Sequence, residues 1–236
     1  MFPLALAAQD VSQTLPHVDE VLARMTEHDV QREATLHGYT AARRYVLKNE
    51  GHHKRAEMLV KVTCTQNGSK QFEMVDESGW AGARKYVFPR LLTTEAAASE
   101  PGAREHSRVT ADNYSFEMLR MEYINGRLTY VLAIAPKTAN QYLMKGTIWI
   151  DASDYAIVRI EGSPSKSPSF WVKSVHFVHT YEKKGTFWVP VSDRSVTEAR
   201  LMGTTELTIE YFDYSLNTLA LSASNDVSAI AGTAAR

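Results

Sequence analysis

The chain carries eight histidines and one cysteine, Cys64, and these bound the chemistry it can do. A single cysteine allows neither an internal disulfide nor a cysteine-rich zinc site. His52 and His53 sit between Gly51 and Lys54 in a turn, where neighbouring histidines face solvent more often than they hold a metal. His176 and His179 are three apart in an alternating stretch, so on a strand they point to opposite faces and share no ion without a bulge. Asp151 and Asp154 flank a turn, a place where aspartate is favoured for backbone reasons. Gly-x-Ser-x-Gly, His-Glu-x-x-His, a Walker loop and Gly-x-Gly-x-x-Gly are all absent. Nothing assembles a nucleophile, a base and an orienting group. The expectation is a protein that is not an enzyme and uses no metal and no cofactor. One loop stands apart: Ser163 to Ser169 places serines around Lys166, which suits a phosphate or carboxylate. Pro164 and Pro168 equally suit a stiff loop that protects a sheet edge. Phe170 and Trp171 beside it offer a contact for a partner or a membrane surface.

The larger signal is a set of apolar side chains at period two: Met58, Phe72, Met74, Phe116, Met118, Tyr130, Leu132 and Met144. The elements that must position them are mostly strands. Strands are expected over 39–48, 56–65 and 69–76, the last after an Asn67-Gly68 hairpin turn. Seven more are expected near 114–123, 127–135, 141–151, 154–162, 170–182, 186–200 and 203–214. Asn125-Gly126, Ser153-Asp154 and Lys184-Gly185 read as the turns among them. A first helix is expected at about 15–30, with Val18, Val21, Leu22 and Met25 on one face, Thr14 as cap and Pro16 in the first turn. A second helix interrupts the strands within 84–99, where Val87, Phe88, Leu91 and Leu92 fall at helical spacing. Pro89 suits its first turn and Pro101-Gly102 its end.

The fold expected is α+β, mostly β: one large curved antiparallel sheet forming an unclosed half-barrel with helices over its open side. Ten strands in one sheet must curl, and the concave face collects one alternating set of side chains. Such an interior is either a packed core or a ligand cavity. Its methionines adapt to irregular apolar partners and equally well fill a core.

Twenty-six basic residues against twenty-seven acidic ones give a net charge of -1, unlike a strongly basic nucleic-acid binder. At 44% hydrophobic and 22% charged, the 236 residues support a sizeable core. No apolar run approaches the ~20 residues that span a bilayer. Residues 1–8 are apolar, and Ala5-Leu6-Ala7 has the small-x-small form read by signal peptidase, so this stretch is expected to be a signal-peptide remnant. Residues 9–216 are then expected to form one domain and 217–236, rich in Ser, Ala, Asn and Thr, a loose tail.

A Gly146-x-Ile148-Trp149-Ile150-Asp151 strand, a short turn, and Ile157-x-Arg159-Ile160-Glu161-Gly162 resemble the outer-membrane lipoprotein-sorting proteins of the LolA/LolB-like family. Relatives of that family include the sensor domains of MucB/RseB-type regulators. Asn113-Tyr114-x-Phe116 and Ile209-Glu210-Tyr211-x-Asp213-Tyr214 resemble the same group, and the order of elements matches over roughly 15–214. The resemblance implies a soluble, monomeric periplasmic carrier that shelters lipoprotein acyl chains or lipid beneath a helical lid. It implies transport partners at the inner and outer membranes and no nucleic acid. The lipid-binding set it implies joins Tyr45, Val60, Ile148, Ile150 and Ile209 to Met58, Phe72, Met74, Phe116, Met118, Tyr130 and Leu132, with Phe88, Leu91 and Leu92 as lid contacts. Arg43, on the face of Tyr45, is the candidate to hydrogen-bond a lid carbonyl or a lipid head group; as a plain strand arginine it would instead be solvated. A sensor or scaffold module of the same fold, binding a membrane-anchored protein, is the alternative function.

Overall fold

The computed structural model describes residues 15–138, 142–166, 172–200 and 203–218. Helix α1 spans Val18–Thr35 and buries Val21 and Met25, the expected stripe. It starts later than expected because His17 is extended, and it runs on to Thr35, whose hydroxyl donates to the Gln31 carbonyl. Thr14 lies outside the described residues. Three strands follow: β1 (Leu36–Asn49), β2 (Lys54–Thr65) and β3 (Lys70–Gly79). A π-helical turn, Ala83–Val87, leads into α2 (Phe88–Ser99), with Pro89 in its first turn, where a missing N–H costs nothing. The helix ends at the expected stop, because Glu100 is extended ahead of Pro101, and Pro101 then opens a short further helix, α3 (Pro101–Glu105). Seven strands complete the chain: β4 (Tyr114–Ile124), β5 (Arg127–Pro136), β6 (Met144–Asp151), β7 (Ile157–Pro164), β8 (Val172–Lys184), β9 (Phe187–Ala199) and β10 (Gly203–Thr218).

All ten strands form one antiparallel sheet in the order β3-β2-β1-β10-β9-β8-β7-β6-β5-β4. The sheet is not closed into a barrel, as expected for a half-barrel. Every neighbouring pair is also adjacent in sequence except β1 and β10, which join the first three strands to the last seven. This order dictates where the helical insertion must lie. Strands β3 and β4 are consecutive in the chain yet form opposite edges of the sheet. The segment between them has to cross from edge to edge, and α2 and α3 lie on that path.

The inward side chains pack as several apolar clusters instead of one continuous interior, two of them under helices. One packs α1 on β4–β7, with Val21 and Met25 against Tyr114, Leu132, Ile148 and Ile150. The other packs α2 on β1 and β2, with Phe88 against Tyr45, Leu47, Met58 and Val60. At Gly146 and Gly162, paired across β6 and β7, the strands approach so closely that a Cβ on Gly146 would stand 2.0 Å from the Glu161 carbonyl oxygen. The opposite face of the sheet also buries apolar side chains. Val131, Trp149, Ala156, Val158 and Trp188 cluster there, under Arg127 and Arg159 stacked on the two indoles. Simple alternation of apolar and polar faces therefore fails along β5 and β6.

Candidate functional site

Arg43 stands in the middle of β1, opposite Tyr211 of β10 and Val60 of β2. Alternation puts it on the inward face with Tyr39, Ala41, Tyr45 and Leu47, and its side chain is 0% exposed. A solvated strand arginine is thereby excluded. Its guanidinium meets no lid carbonyl; it meets a lid carboxylate. Arg43 Nη1 donates to Glu95 Oε1 of α2 at 2.7 Å, and Lys70 Nζ of β3 donates to the same oxygen at 2.8 Å. Tyr45 Oη donates to Glu95 Oε2 at 3.4 Å. The Arg43 guanidinium also lies 4.5 Å from the Tyr211 ring and 5.4 Å from the Phe72 ring.

These contacts set the charges. Burial by itself raises the Glu95 carboxyl, but the charges of Lys70 and Arg43 and their hydrogen bonds outweigh it and hold Glu95 down at about 2. Burial opposes the charge on Arg43, and the Glu95 carboxylate together with Tyr211, Tyr45 and Tyr39 more than offsets it, so the guanidinium stays charged. Tyr45 is raised by burial first and by Glu95 second. The pairing is incomplete. Arg43 Nε and Nη2 are buried without a hydrogen-bond partner. Unpaired buried donors cost about 1–3 kcal/mol each, partly relieved here by the two rings. The contact of α2 with the sheet is therefore held by a strong ion pair and strained at the same residue.

Around this clamp lie many of the residues expected to contact lipid. Tyr45, Met58, Val60, Phe72, Phe88, Leu91, Leu92 and Ile209 belong to the α2 cluster. Phe116, Met118, Tyr130, Leu132, Ile148 and Ile150 belong to the α1 cluster, across the sheet. The structure thus divides them between two helix-covered halves. Met74 joins neither: it is 45% exposed. It pairs with Val60 beside a register shift, but β3 is the outermost strand and no strand beyond it covers Met74.

Between the halves, on β8–β10, the inward face is only partly covered. Tyr211 Oη donates to Asp193 Oδ2, and His179 Nδ1 is 2.6 Å from Asp193 Oδ1. Burial and then Asp193 raise the Tyr211 hydroxyl well above its ordinary value, which keeps it a donor. A polar line thus runs Lys70–Glu95–Arg43–Tyr211–Asp193–His179 through an otherwise apolar interior. Of its members, sequence reasoning named only Arg43 as a site residue. The spacing held a clue to Glu95, which follows Leu91 and Leu92 by four and three residues and so shares their helix face. Tyr211 shares the face of Ile209 by alternation.

His176 and His179 do part to opposite faces: His176 lies 3.3 Å from Glu161, and His179 faces Asp193. No cluster of three or more metal-ligating side chains occurs among the described residues. Asp151 and Asp154 are structural. Asp151 accepts from the Ser153 and Asp154 amides and from Arg127, while Asp154 accepts from Arg127, Lys183 and Trp188. Residues 1–8, Ser167 to Trp171 and 219–236 lie outside the described residues. Among those described, no helix is long and apolar enough to cross a membrane.

Residues 107–216 match the model of a family of unknown function, DUF5686. No curated protein matches the chain. In structure the chain is similar to an outer membrane lipoprotein-sorting protein domain from Vibrio parahaemolyticus, at 13% identity and a TM-score of 0.45, covering 87% of this chain and 96% of that one. It is similar to a DUF1329 family protein from Desulfovibrio piger, at 13% identity and a TM-score of 0.45, covering 85% and 93%. A LolA superfamily protein from Nitrosomonas europaea is also similar, at 13% identity and a TM-score of 0.39, covering 87% and 96%.

Proposed function

We propose that this protein is a non-enzymatic carrier that shelters acyl chains of lipoproteins or lipids beneath a lid formed by α2, in the periplasm, on the way to the outer membrane. The observation that supports it best is the way the lid is closed. The apolar side of α2 lies on Tyr45, Met58 and Val60, and the polar ties across it centre on Glu95, held by Arg43 and Lys70, with the Arg43 guanidinium keeping unpaired donors. An apolar lid closed by one carboxylate and its two cations has two competing states: helix on sheet, or acyl chain on sheet. A chain entering beneath α2 gains ~0.8 kcal/mol per buried CH₂, so a few methylenes offset the loss of the clamp. The periplasmic setting and the membrane transport partners follow the sequence resemblance.

Native mass spectrometry of the protein purified from its own host, followed by lipid extraction, tests this reading. The expected result is a population carrying added mass that extracts as acyl-bearing lipid and is depleted by an Ile209→Gln change. A lipid-free protein bound stoichiometrically to another protein would overturn it and support the scaffold alternative.

A further inference from the structure

The uncovered stretch between the two apolar clusters holds a cavity of about 240 Å³. Two rows of paired residues floor it. Phe177, Ser195 and Leu207 lie side by side across β8, β9 and β10, and His179, Asp193 and Ile209 form the next row. Phe177 packs against the α1 cluster, and Leu207 and Ile209 pack against the α2 cluster. The cavity therefore opens onto both halves of the interior.

Its polar end has a definite hydrogen-bonding character. A carboxylate only accepts, so with Tyr211 donating to Asp193 Oδ2, His179 must present Nδ1–H to Oδ1. This fixes the tautomer of the neutral ring and leaves Nε2 as an acceptor. The His179 ring is held by Phe177, 4.9 Å away between centroids. The side chains of His179 and Asp193 remain 35% and 17% exposed, so an entering group can reach them. Both present acceptor lone pairs beside an apolar floor. An apolar pair at these two positions would cover the seam with no charge to desolvate. The arrangement suits one kind of molecule: an aliphatic tail on Phe177, Leu207 and Ile209, and a head with a hydroxyl or amide hydrogen aimed at His179 and Asp193.

We propose that this seam is the head-group subsite of the carrier, selecting amphiphiles whose linker donates a hydrogen bond; the proposal rests on the acyl-carrier reading. The test compares 1-monolauroylglycerol, which has donor hydroxyls, with methyl laurate, which has none, as competitors of a fluorescent alkyl probe at pH 8. The wild-type protein should bind the glyceride about tenfold more tightly, the amount one hydrogen bond supplies. His179→Phe should bring the two ligands level while methyl laurate keeps its affinity, and His179→Gln should restore part of the preference. Equal binding of both ligands by the wild type overturns the subsite and leaves the carrier reading standing. Failure of both to displace the probe overturns the carrier reading, and the subsite with it. A His179→Phe change that weakens both ligands alike makes the histidine structural and overturns the subsite.

Discussion

Replacing Glu95 by Gln keeps the shape of the lid side chain and removes its charge. Glu95 is held at about 2 against an ordinary 4.5. At 1.36 kcal/mol per unit, its ionised form favours the closed lid by about 3 kcal/mol, shared between Lys70 and Arg43. The carboxylate is 28% exposed, so solvent screens it only partly, while Arg43 is 0% exposed. Removing one partner of a buried pair costs about 3–5 kcal/mol, and partial exposure of Glu95 places this pair at the low end. Both routes give about 3 kcal/mol, roughly a hundredfold in the lid equilibrium. Hydrogen exchange of the α2 amides is the assay. At neutral pH the Gln variant should exchange about a hundredfold faster over Phe88–Ser99, while β5 and β6 keep their protection. The sign with pH follows from the lowered carboxyl. Its contribution is complete above about 4.5 and is lost as pH falls toward about 2, so wild type and variant should converge there. A double Arg43→Leu, Glu95→Leu change should recover part of the protection, because the fully buried guanidinium is no longer left alone and Lys70, 25% exposed, can turn to solvent. Wild-type exchange rates in the Gln variant at neutral pH would refute the clamp.

Two further outcomes follow from the packing. Gly146→Ala should lower the melting temperature sharply, because the added Cβ would stand 2.0 Å from the Glu161 carbonyl oxygen, a contact that backbone must move to relieve; an unchanged melt would show that β6 and β7 can part at no cost. Asp151→Asn should cost about 2–3 kcal/mol in denaturant unfolding, since the buried carboxylate takes hydrogen bonds from Arg127 and two backbone amides. Burial raises the Asp151 carboxyl, but those bonds outweigh it and lower it, so the gap between wild type and variant should close as pH falls below the ordinary 3.8.

Much of the fold was legible because short-range rules carry it. Asn125-Gly126 makes the β4–β5 turn with both residues at positive φ, as the dipeptide suggests. Alternation correctly placed Tyr45, Met58, Val60 and Leu132 on buried positions. It failed where a second partner arrived from elsewhere. Trp149 is buried on the convex face because Trp188, distant in sequence, packs in its cluster and Arg159, its partner across the β6–β7 hairpin, lies over its ring. Met74 is exposed because nothing lies beyond β3. Pro101 opens a helix because Glu100 had already broken the one before.

The sequence by itself determined the period of each strand, the turns between them, the amphipathic face of each helix and the absence of a recognisable catalytic motif. Those are properties of residues a few positions apart. Only the tertiary structure decided what Arg43 does. Its partner Glu95 lies 52 positions along the chain, Tyr211 lies on the last strand, and both reach it because β10 pairs with β1 while the chain crosses from one sheet edge to the other. The same pairing brings Asp193 and His179 into line with Tyr211 and leaves an open seam between two covered halves. Strand order is a long-range choice, settled by how the whole sheet buries its apolar face, and with it go the clamp, the seam and the division of the interior.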